Sequence, residues 1–69
     1  MSETTATYTV TGMTCGHCVA SVTEEVGAID GVTGVAVDLP TGAVTVTSAE
    51  PVSADAVRAA VDEAGYSLA

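Results

Sequence analysis

Phenylalanine and tryptophan are missing from this 69-residue chain, and two tyrosines are its only aromatic residues. The core must therefore be assembled from small aliphatic side chains, above all the twelve valines. Basic residues are almost as scarce: Arg58 stands alone against nine carboxylates, for a formal charge of −8. Nucleic acid is excluded as a partner, because phosphate binding needs lysine and arginine to displace counterions. Anionic membrane surfaces are disfavoured for the same reason. No run approaches the roughly 20 apolar residues of a membrane span, so direct membrane insertion is not expected. The first eight residues carry neither the basic nor the apolar part of a signal segment, and a cytoplasmic location is expected. Cysteine occurs only twice and histidine once. In a reducing cytosol those thiols are not a structural bridge.

What is present bounds the chain to one domain, residues 1–69, with a thin margin of stability. Twelve valines and eleven threonines favour pleated strands. From about Thr4 to Thr11 the residues alternate, with Ala6, Tyr8 and Val10 on one side and threonines on the other, which predicts a half-buried strand. Gly12 to Gly16 reads as a loop. From His17 to about Ala28, Val19, Val22, Val26 and then Ile29 recur at helical spacing, and Asp30-Gly31 closes the helix. Val35, Val37 and Leu39 predict a second strand. Leu39-Pro40-Thr41-Gly42 is a tight turn, and Val44 and Val46 form a third strand that pairs back as a hairpin. Ser53 is placed to cap a second helix with Asp55 in its first turn and Val57, Ala60, Val61 and Ala64 as its stripe. Gly65 ends that helix, and Tyr66 to Leu68 is a short last strand. The order is β-α-β-β-α-β, an α+β fold of the split βαβ type. Its four-stranded antiparallel sheet carries two helices on one face.

The chemistry gathers where the first strand hands over to the first helix. Cys15 falls in the loop and Cys18 in the first helical turn. Unpaired backbone N–H groups and the positive end of the helix dipole favour thiolate there. A thiol pair two residues apart can hold a soft metal, cycle as a disulfide or supply half of a zinc site. A closed structural zinc site wants four ligands, and this chain has no third cysteine and one histidine. Copper(I) is soft, prefers thiolate and is satisfied by few ligands. Low coordination also leaves the metal open to an incoming thiolate, as transfer between proteins requires. Silver(I) and mercury(II) satisfy the same site.

The string Gly12-Met13-Thr14-Cys15-Gly16-His17-Cys18, set in the β-α-β-β-α-β pattern, resembles the heavy-metal-associated (HMA) domain family, and within it the small bacterial copper chaperones. The resemblance runs from about Thr7 to Leu68. It implies a ferredoxin-like fold and copper(I) bound by Cys15 and Cys18. It also implies delivery to the metal-binding domain of a copper-transporting P-type ATPase. Zinc- and cadmium-pump members often carry an acidic residue before the first cysteine; Thr14 departs from that and favours copper. The missing signal segment speaks against the periplasmic mercury-binding branch.

Around the thiols, Met13 is read as core packing that pins the loop rather than as a thioether ligand. His17 is read as a surface group that modulates charge beside the thiols, with bridging in a second molecule as the alternative. Tyr66 has two open readings, edge packing or, as the resemblance suggests, a group approaching the metal. The carboxylates read as solvated faces first and as a docking surface for a basic partner second. The expected function is a metal carrier, not an enzyme. One alternative is a regulatory domain excised from a P-type ATPase, against which Met1 and the close of the last strand near Ala69 suggest a complete short product. The other is a dithiol oxidoreductase, which the short chain and the order of elements oppose. Monomers without metal and a copper-bridged dimer with it are expected.

Overall fold

The computed structural model describes residues 3–13 and 16–69. Its elements are β1 (Thr4–Thr11), α1 (Gly16–Gly27), β2 (Val32–Asp38), β3 (Ala43–Ser48), α2 (Ala54–Glu63) and β4 (Ser67–Leu68). They build one sheet in the order β2-β3-β1-β4, with every pairing antiparallel. The expected β-α-β-β-α-β order and four-stranded antiparallel sheet are what forms.

Period-two alternation decides the two faces of the sheet. In the central pair, Ala6 faces Val46 and Tyr8 faces Val44 on one side, while Thr5 faces Thr47 and Thr7 faces Thr45 on the other. The first side is covered by both helices. Val10, Val44 and Val46 from the strands form a single buried cluster with Val22 and Val26 of α1 and Val57, Ala60 and Val61 of α2. On the threonine side Thr5, Thr7 and Thr9 are exposed, and Thr7 Oγ1 lies 3.4 Å from Thr45 Oγ1. A core made almost wholly of valine fits the sequence: β-branched side chains suit the sheet, and a short domain leaves little room for larger ones.

The ends of the elements differ in detail from the sequence reading. Helix α1 stops at Gly27, before the Asp30-Gly31 signal. Ile29 follows in a turn, its amide donating to Val26 O at 3.1 Å, and still packs on the core. Strand β2 begins earlier than expected, at Val32, and Leu39 belongs to the turn rather than to the strand. A bulge between Val32 and Gly34 leaves Thr33 as the extra residue. Its hydroxyl donates to Glu3 Oε2 at 3.0 Å and to Thr47 O at 3.3 Å.

Two local devices set the position of α2. At its start the Ser53 side chain accepts from the Ala56 amide at 3.1 Å, the N-cap that the sequence announces. At its end Gly65 turns with φ +94. Its amide donates to Asp62 O at 2.9 Å, and the next amide, of Tyr66, donates to Val61 O at 3.0 Å. This pair of bonds is a Schellman motif, which also favours packing between Tyr66 and Val61. The motif directs the chain straight into β4, which is shortened to Ser67–Leu68.

Candidate metal centre

Three connections meet at one end of the sheet: the segment between β1 and α1, the β2–β3 turn, and the link from α2 to β4. The β2–β3 turn is held against β1 by the Val10 amide, which donates to Gly42 O at 2.8 Å. Gly42 has φ +75, and a Cβ added there would lie 2.6 Å from Val10 O. Only glycine meets both conditions. On the other side of β1, Thr11 Oγ1 donates to Ser67 O at 3.2 Å and the Ala69 amide donates to Thr9 O at 2.8 Å. The last turn of β1 is thus fastened from both flanks, and the segment that follows leaves from a fixed point.

That segment begins with Gly12, at φ +90, and an ideal Cβ on Gly12 would stand 3.5 Å from the Tyr66 ring. The Schellman motif closing α2 therefore delivers Tyr66 to the loop after β1. Met13 packs against the valine cluster, as the core-packing reading expects. Thr14 and Cys15 lie outside the described residues. His17 is exposed on the first turn of α1, in keeping with a surface role.

Cys18 differs from the sequence reading. The apolar spacing counted from Val19 leaves Cys18 off the buried stripe, but Cys18 is 6% exposed. The helical stripe explains why. The buried face of α1 runs Cys18, Val22, Val26 at intervals of four, whereas Val19 is only half-buried. The sequence reading began the stripe at Val19, one residue late. Counting back four from Val22 would have found the correct phase. Cys18 continues the buried stripe of α1 into the first turn of the helix. No acidic residue stands in the first turn of α1, so no carboxylate of that turn opposes anionic sulfur at the positive end of the helix. Among the described residues no three histidine, cysteine, aspartate or glutamate side chains gather closely enough to hold a metal. No helix among them is long and apolar enough to cross a membrane.

The order of elements, the strand order and a buried thiol opening α1 define a ferredoxin-like α+β domain with a candidate sulfur site at one end. The chain belongs to the heavy-metal-associated domain family, whose model matches residues 7–67. It is 44% identical over 59 residues to the COP-associated protein of Helicobacter felis, a match spanning 86% of this chain and 89% of that protein. It is 42% identical over 64 residues to the copper chaperone CopZ of Bacillus subtilis, covering 91% and 93% of the two chains. Among solved structures, a CopZ metallochaperone superposes with a TM-score of 0.89 at 33% identity, over 96% of this chain and all of that one. The relatives named CopZ are chaperones, carriers rather than enzymes.

Proposed function

We propose that this chain, taken as a single domain over residues 1–69, is a soluble cytoplasmic copper(I) chaperone. In this reading Cys15 and Cys18 hold the metal as cargo and hand it by ligand exchange to the metal-binding domain of a copper-transporting P-type ATPase. The single observation that carries the reading is the position of Cys18. A thiol in the first turn of α1, in phase with the core stripe, is anchored by the helix and shielded from water on its inner side. Membership of a heavy-metal-associated family and similarity to copper chaperones support copper as the metal.

The donor set favours transfer over storage. Two thiolates satisfy copper(I) without closing its coordination, and a soft monovalent ion tolerates a third sulfur. A thiolate of the partner adds to copper, a three-coordinate state forms, and one of the original sulfurs leaves. No electron is transferred and copper stays monovalent. Cys18, fixed on the helix, is the sulfur that stays longest; Cys15 is the first to be exchanged. Tyr66 lies over Gly12 and limits water and competing ligands at the loop. His17 on the exposed side modulates charge, and Met13 pins the loop to the core. Silver(I) and mercury(II) are competent substitutes. Two loaded chains are able to share copper through four thiolates, giving a metal-bridged dimer from an apo monomer.

Copper(I) titration in reducing buffer against a strong chelator tests the reading. Saturation at one metal per chain, lost on combining Cys15→Ser with Cys18→Ser, is the expected result. Retention of stoichiometric copper by the double variant would remove the proposal. In transfer assays Cys15→Ala slows delivery more than Cys18→Ala; equal slowing contradicts the assigned order of exchange.

A further inference from the structure

The placement of charge on the helices runs against their dipoles. Five carboxylates lie on α1 and α2, and only Asp55 occupies a first turn. Glu24 and Glu25 sit in the last turn of α1, and Asp62 and Glu63 in the last turn of α2. Neither last turn carries a basic residue. Exposed carbonyls give a helix C-terminus partial negative charge, so acidic residues there are destabilising in dilute solution. The chain has a single basic side chain with which to compensate them. Its one cation, Arg58, is engaged at 3.2 Å with Asp55 at the opposite end of α2. A net charge of −8 adds general self-repulsion. The opposing cohesion is small, because the buried cluster contains only valine and alanine.

We propose that the domain is built to fold at high ionic strength, with cations of the medium supplying the positive charge that the sequence omits. The screening length falls from about 8 Å at physiological salt to about 3 Å at 1 M, so repulsion between exposed charges farther apart than that is largely screened. Under those conditions adjacent acids at a helix end cease to oppose folding, while valine packing is undiminished. A consequence follows for recognition. Where the fold is at its most stable, the acidic surface does not steer partners over distance. Docking then depends on short-range contacts at the end of the sheet that carries Gly12, Tyr66 and Cys18.

The inference concerns the chain without metal and is independent of the copper reading. Thermal unfolding of the full chain in reducing buffer, followed by circular dichroism, tests it between about 0.1 M and about 2 M potassium chloride. The midpoint of the unaltered chain is expected to rise by roughly 10 °C, from four helix-end charges at their usual worth. The quadruple variant Glu24→Gln, Glu25→Gln, Asp62→Asn, Glu63→Gln keeps the shape of each side chain and removes its charge. It should be more stable than the parent in dilute buffer and gain no more than half of the parent's increment on adding salt. A parent midpoint that is flat or falls with salt overturns the proposal. So does a variant less stable than the parent at low salt, or one that keeps the whole increment, which would assign the effect to salting-out.

Discussion

Gly42 and Gly31 offer a matched test of what fastens the β2–β3 turn beneath the candidate metal loop. Both have left-handed backbones, φ +75 and φ +90. Alanine at either position pays the steric cost of that conformation, about 1–2 kcal/mol, partly offset by a reduction in unfolded-state freedom of roughly 0.4–1 kcal/mol. The surroundings separate the two. An ideal Cβ on Gly31 meets no described atom within 4 Å, whereas on Gly42 it lies 2.6 Å from Val10 O. Relief requires the turn to move away from β1, and that lengthens the bond from the Val10 amide to Gly42 O, now 2.8 Å. A buried backbone bond of this kind contributes about 1 kcal/mol. Gly42→Ala should therefore cost about 1–2 kcal/mol more than Gly31→Ala, a midpoint difference of roughly 5–15 °C in so small a domain. Urea unfolding with a shared slope provides the measurement, and hydrogen exchange at the Val10 amide localises the loss. If the two variants were equally destabilised, or Gly31→Ala the weaker protein, the close approach of turn and strand would not have the role assigned to it.

Other substitutions probe separate links. Val22→Ala removes two methyl groups from a fully buried site and should cost about 2 kcal/mol; Val19→Ala, on the half-buried flank, should cost less than half as much, and the reverse order in urea unfolding would place the wrong face of α1 inward. Ser53→Ala deletes the cap on the Ala56 amide and should lower stability by about 1 kcal/mol, with Ser53→Asp restoring it. Asp55→Asn removes the one acidic residue in a favourable first turn together with its contact to Arg58. It should destabilise the domain slightly in dilute buffer, opposite in sign to the change expected at the helix C-termini. Tyr66→Ala uncovers Gly12 and should raise the rate of copper(I) loss to a chelator by roughly 10-fold while the protein stays folded; an unchanged rate would reduce Tyr66 to edge packing.

Much of the architecture is legible in the order of residues, because its determinants act over a few positions. Alternation from Thr4 to Thr11 and from Ala43 to Ser48 specifies which side of each strand is buried. The cap at Ser53 and the glycine at position 65 bound α2. The spacing of Cys15 and Cys18 behind a strand points to sulfur chemistry before any coordinates are considered. The misplaced boundaries have local physical causes. Ile29 continues the apolar spacing beyond Gly27, so periodicity alone overruns the end of α1. The Thr33 bulge breaks the alternation that would have announced the start of β2 at Val32.

What the chain could not reveal in one dimension is which distant residues share an environment. Gly42 lies against Val10 across 32 positions, and Tyr66 lies against Gly12 across 54; neither proximity has a signature in neighbouring residues, since each depends on how the sheet and helices close together. The burial of Cys18 is of the same kind: its spacing from Val22 sets the face, but only packing of α1 on the valine cluster turns that face inward. Residue order settled the elements and their polarity through short-range sterics and periodicity. Three-dimensional closure settled that the β2–β3 turn meets Val10, that Tyr66 meets Gly12 at the same end of the sheet, and that Cys18 faces inward.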